Sequence, residues 1–104
     1  METQNPYELL TKDPVKFMTW SLKSKMMMVL VDLIEQKGWT QRVAAEQLNV
    51  SQPRVSNLFK GRLDRFSVDS LLEMTLSLGY KLDLDYRPDN LDEPLRLKIK
   101  KAML

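Results

Sequence analysis

The sequence predicts a mainly α-helical bundle of four to five helices with a short strand or hairpin at its C-terminal end. Three observations carry that reading. Apolar residues recur at spacings of three and four through most of residues 22–78, which is helical periodicity. Glycine occurs only three times, at Gly38, Gly61 and Gly79, each just past such a stretch. After Gly79 the period changes to two.

The first helix is read over Leu22–Lys37, where Leu22, Met26, Val29, Leu30, Leu33 and Ile34 define one apolar side, and Gly38 ends it. Met27, Met28 and Val31 lie on its other sides, so this helix needs cover on more than one face. Two sources of cover stay open: the apolar Phe17, Met18 and Trp20 of an irregular N-terminal segment broken by Pro6 and Pro14, or a partner chain. Thr40 is a suitable N-cap for a second helix, Gln41–Leu48, and Ser51 for a third, Gln52–Lys60, with Pro53 in its first turn. Ser67 caps a fourth, Val68–Leu78.

Beyond Gly79, Tyr80, Leu82, Leu84 and Tyr86 alternate with Lys81, Asp83, Asp85 and Arg87, the pattern of a half-buried strand. Leu95, Leu97 and Ile99 alternate with Arg96, Lys98 and Lys100. They form either a second strand, whose basic residues face Asp83 and Asp85, or a frayed basic terminus. The division expected is therefore residues 1–21 as an N-terminal segment packing on the core, 22–80 as the helical domain, and 81–104 as a strand or hairpin with a basic end.

With 104 residues the chain has material for one core, and 43% hydrophobic with 29% charged residues is an ordinary globular balance. There is no cysteine, so disulfides, thiolate metal sites and a cysteine nucleophile are excluded by composition. There is no histidine either, which removes the commonest general base and metal ligand. The three glycines are isolated and build no phosphate-cradling loop. The expectation is a protein that is not an enzyme and carries no cofactor or metal. The longest apolar run, Met26–Val31, is far short of a membrane span of about 20 residues. The opening METQNPYELL has acids and no basic region before an apolar stretch, unlike a secretory signal, so a cytoplasmic location is expected.

The net charge of +2 hides an uneven division. Residues 22–65 hold eight bases and four acids, residues 66–94 two and seven, and residues 95–104 four and none. One face is thereby suited to phosphate and another to a basic partner.

The basic stretch contains TQRVAAEQLNVSQPRVSNLFKG, two short helices around a tight turn, which is the spacing of a helix-turn-helix. A small side chain is required where the helices cross, at Ala45, while Leu48, Val50, Val55 and Leu58 fill the space between them. Asn49 stands in the turn, where positive φ is expected and asparagine tolerates it. What then points outward is Ser51, Gln52, Pro53, Arg54, Ser56, Asn57 and Lys60, a face with no acid. Its amides and guanidinium match the hydrogen-bonding edges of bases. Gln52, Arg54, Ser56 and Asn57 are expected to read bases. Gln41, at a helix N-terminus, with Arg42, Lys60 and Arg62, is expected to hold phosphates. Individual members also have plainer roles: Ser51 as a cap, Pro53 as a helix starter, Ser56 as a small residue near the backbone.

This stretch resembles the XRE group of Cro-like and repressor-like domains. Across residues 22–87 the chain is similar to the HigA-type antitoxins of bacterial toxin-antitoxin operons, through LKSKMMMVLVDLIEQKGWTQ, AAEQLNVSQPRVSNLFKGRLDRFSVDSLLEM and LGYKLDLDY. The resemblance implies a Cro/repressor-like bundle that represses its own operon as a homodimer on double-stranded operator DNA and neutralises a RelE-like ribonuclease toxin. The toxin is expected to dock on residues 66–94 or on the apolar first helix with the N-terminal segment. Asn49, where many relatives have glycine, and the basic end LRLKIKKAML depart from the pattern. A phage-type or metabolic repressor with no toxin is the competing expectation.

Overall fold

Pro14 starts a helix instead of breaking one. In a computed structural model, which describes residues 12–102, α1 spans Pro14–Gln36. Proline is tolerated at the first helical position because its missing N–H would have no helical partner there. Asp13 caps the helix, its carboxylate accepting from Val15 N at 3.1 Å and Lys16 N at 3.2 Å. The helix therefore begins eight residues before the expected Leu22. Phe17 and Trp20, with ring centroids 6.2 Å apart, sit on the early turns of the same rod and cannot fold back over Met27 and Met28. Residues 1–11 of the expected N-terminal segment lie outside the described residues.

The other helices are α2 (Gln41–Leu48), α3 (Gln52–Phe59) and α4 (Val68–Ser77), with a 3₁₀ turn at Leu63–Arg65 between the last two. Their caps are those the sequence offers. Thr40 Oγ1 accepts from Val43 N, and Ser51 Oγ from Arg54 N. Ser67 and Ser70 exchange side-chain and backbone bonds in a reciprocal box at the start of α4.

The core gathers Met26, Met27, Leu30 and Ile34 of α1, Ala44, Ala45 and Leu48 of α2, Val55 and Leu58 of α3, then Phe66, and Leu71 and Met74 of α4. Thr75 is buried with them, its hydroxyl donating to Leu71 O at 2.8 Å, so no polar atom is stranded there. The buried stripe of α1 differs from the expected one. Met27 is inside, whereas Leu22 and Val29 are exposed, because α3, α4 and the 3₁₀ turn approach from the Met27–Ile34 side.

Residues Tyr80–Tyr86 (β1) and Leu95–Lys101 (β2) form an antiparallel hairpin in which Leu82 faces Ile99, Leu84 faces Leu97 and Tyr86 faces Leu95. The strand pair is thus formed, and Asp83 and Asp85 stand opposite Lys98 and Arg96 as expected. The loop is closed by Arg87 N donating to Pro94 O at 2.7 Å. The expected half-burial of the apolar side of β1 is met at Tyr80, beside α1, and not farther along: Leu84 is 62% and Tyr86 67% exposed, since the hairpin projects beyond the helices that could cover that face.

Candidate nucleic-acid interface

The geometry of the site follows from how α2 and α3 are stopped and started. Asn49 takes a left-handed conformation, φ 58° and ψ 45°, and the chain reverses in the two residues before Ser51. Asparagine accepts that region at lower cost than most side chains. Ala45, 6% exposed, sits within the core that joins the two helices, beside Leu48, Val55 and Leu58. At the far end, Gly61 at φ 68° lets its own N–H reach Leu58 O and the Arg62 N–H reach Asn57 O, both at 3.1 Å. This closure satisfies the last carbonyls of α3 and sets where Arg62 leaves the helix.

With Val55 and Leu58 inside, helical spacing fixes the opposite face. Gln52, Ser56 and Lys60 follow one another at intervals of four, and Pro53 and Asn57 run beside them. Gln52, Pro53 and Lys60 are exposed, and Ser56 and Asn57 are half-buried at their bases. Among the described residues no side chain engages any of these, so their donors and acceptors are free for a ligand. Ser51 is exposed but its hydroxyl is occupied as the cap of α3. At the start of α2, Thr40 accepts from Val43 N and Thr40 O takes Ala44 N, leaving the N–H groups of Gln41 and Arg42 directed out of the helix end. Arg42, Lys60 and Arg62 are exposed around this surface.

Arg54 is the exception among the expected base readers. Its Nη1 donates to Arg65 O at 3.2 Å and its guanidinium lies 4.6 Å over the ring of Phe66, which is 3% exposed. It sits on the flank of α3, tied to the segment after the helix, while the other expected residues share the outer face. Sequence reasoning missed this contact. The signal available was a lone aromatic, Phe66, behind the basic GRLDR. Exposed Arg65, paired loosely with Asp64 at 3.8 Å, extends the basic margin.

Among the described residues no group of three or more acidic side chains clusters to hold a metal ion, and no helix is long and apolar enough to cross a membrane. What remains is a projecting helix with an acid-free, hydrogen-bonding face, flanked by exposed arginines and lysine. Such a surface suits the major groove, where an α-helix fits and base edges present donors and acceptors. Fold and surface define a helix-turn-helix DNA-binding regulator. A family model described as a helix-turn-helix domain matches residues 13–87, and the chain belongs to that family. No curated protein matches the chain.

Proposed function

We propose that this chain is a sequence-specific repressor of the XRE, Cro/repressor-like kind that occupies an operator as a homodimer. It acts in the cytoplasm as a binding protein rather than an enzyme. The observation that carries the reading is the acid-free outer face of α3, with Gln52, Ser56 and Asn57 at its centre. Gln41 and Arg42 on one side and Lys60 and Arg62 on the other suit the flanking phosphates. Gln52 and Asn57 can each pair with adenine through acceptor and donor together. Selection of duplexes from a random library tests this. One enriched consensus, built of two half-sites about 34 Å or a multiple apart, is the expected result. Recovery of unenriched DNA would count against specific repression.

The resemblance to HigA-type proteins extends the proposal to autorepression of a toxin-antitoxin operon and neutralisation of a RelE-like ribonuclease. Co-expression with an adjacent small basic open reading frame, scoring rescue of growth, tests that part separately. One observation favours the competing reading of a repressor without a toxin. Of the acids in residues 66–94, Asp83, Asp85 and Glu93 are already paired within the chain, to Lys100, Arg87 and Arg96. This leaves a weaker acidic surface for a basic partner than the sequence count implies.

A further inference from the structure

We propose that the apolar face of the β1–β2 hairpin is where a second copy of this chain packs. The inference rests on the dimeric reading above and adds the surface.

Alternation along paired strands sorts the hairpin into two unlike faces. One carries Leu82, Leu84, Tyr86, Leu95, Leu97 and Ile99, brought side by side by the register. The other carries the charges, locked by Lys100–Asp83 at 3.0 Å and Arg87–Asp85 at 3.3 Å. In most folded chains the apolar face is the covered one. Here all six residues are between 38% and 67% exposed. Together they present roughly 600–700 Å², above the 300–600 Å² typical of the largest patch on a monomer. At its base the face continues into an apolar cleft of 280 Å³ against α1, lined by Val29, Leu33, Tyr80 and Ile99 among others.

Area and charge select the occupant. Two copies meeting through this face would bury about 1,200–1,400 Å² in all, within the roughly 1,200–2,000 Å² of a stable interface. The face itself carries no charge, so it matches its own copy without repulsion, whereas a basic or acidic partner would find nothing to pair with. A two-fold axis then packs sheet on sheet at about 10 Å. Packing edge to edge through β2 is disfavoured, because a two-fold at Lys98 sets that lysine against itself and Arg96 against Lys100.

The full chain is tested by sedimentation and by cross-linking. It has no cysteine, so Leu97→Cys and, on the far side of α1, Met28→Cys can each be treated with a short bismaleimide. The wild type is expected to sediment as a dimer, with Leu97→Cys linked and Met28→Cys not. Leu84→Lys/Leu97→Lys buries unpaired charge in the interface and is expected to weaken the dimer by at least about 100-fold. Both positions are more than half exposed, so its helical circular dichroism and its binding to a single half-site should persist. A wild-type dimer that survives the double substitution, or that links through position 28 and not 97, overturns this surface while leaving the dimeric reading intact. A wild type that is monomeric even on two half-sites overturns both. Should the double variant lose its helical signal, the cross-linking at 97 against 28 decides.

Discussion

The Arg54 guanidinium lies over the Phe66 ring, 4.6 Å from its centroid, and Arg65 O accepts from the same guanidinium. The only arginine on α3 is thereby fastened to the turn that leads into α4. A partly shielded cation–π contact is worth about 0.5–2 kcal/mol and a hydrogen bond about 1 kcal/mol. Arg54→Ala is expected to lower unfolding free energy by about 1–2 kcal/mol in urea. Arg54→Lys should recover only part, since an ammonium cannot lie flat on the ring and bond sideways at once. A variant as stable as the wild type would show that the contact does not hold α3 to its neighbour.

Asn49 offers a second test on stability, at the turn of the motif. Its φ of 58° is a region that costs most L-residues roughly 1–2 kcal/mol and glycine little. Asn49→Ala should therefore destabilise by about 1 kcal/mol, while Asn49→Gly stays within a few tenths of the wild type. Thermal melts of both variants check the order. Equal losses would point to the side chain rather than the backbone as the source.

These two residues also mark where the sequence was legible. Asn49 was readable because its role is local: a two-residue gap between Thr40- and Ser51-capped helices leaves few backbone routes, and most of those need positive φ. The outer face of α3 was readable for the same reason, since burying Val55 and Leu58 decides where Gln52, Ser56 and Asn57 point. Arg54 was not, because its partners come 11 and 12 residues later along the chain and their approach depends on the 3₁₀ turn. Pro14 was not legible because a proline can either end a helix or start one, and the capping bonds that Asp13 accepts from Val15 N and Lys16 N distinguish the two. In the hairpin, alternation separated two faces correctly but could not say which is covered. That depends on where the helices stop.

Asp83 gives the hairpin a pH dependence. The hydrogen bond from Lys100, then the charge of that lysine, with smaller help from Lys98 and Lys81, holds its carboxyl below the ordinary aspartate value of 3.8. A carboxyl lowered in the folded state adds stability that is present above the unfolded value and is lost as pH falls through the folded one. The contribution is therefore complete at neutral pH and disappears only below about pH 4. NMR titration of side-chain carboxyls should place the Asp83 midpoint below the ordinary aspartate value, and Lys100→Met should raise it toward that value. Coincident midpoints for Asp83 in the wild type and in Lys100→Met would contradict the pairing.

The contacts proposed for DNA divide into those that specify and those that only hold. Gln52 and Asn57 stand at the centre of the outer face of α3, where an amide can meet adenine at two atoms. Lys60 is the C-cap of that helix and Arg62 follows the Gly61 turn, so both stand at its margin, where phosphates pass. Gln52→Ala or Asn57→Ala should cost about 1–3 kcal/mol on the selected operator and leave binding to scrambled duplex nearly unchanged. Lys60→Ala or Arg62→Ala should weaken both duplexes alike and reduce the slope of log affinity against log salt by about one, as one released counterion requires. Binding isotherms across a salt series, on operator and scrambled DNA, separate the two. Equal losses on both duplexes for the amide variants would falsify base readout by α3. An unchanged salt slope for Lys60→Ala and Arg62→Ala would remove these two from the phosphate contacts.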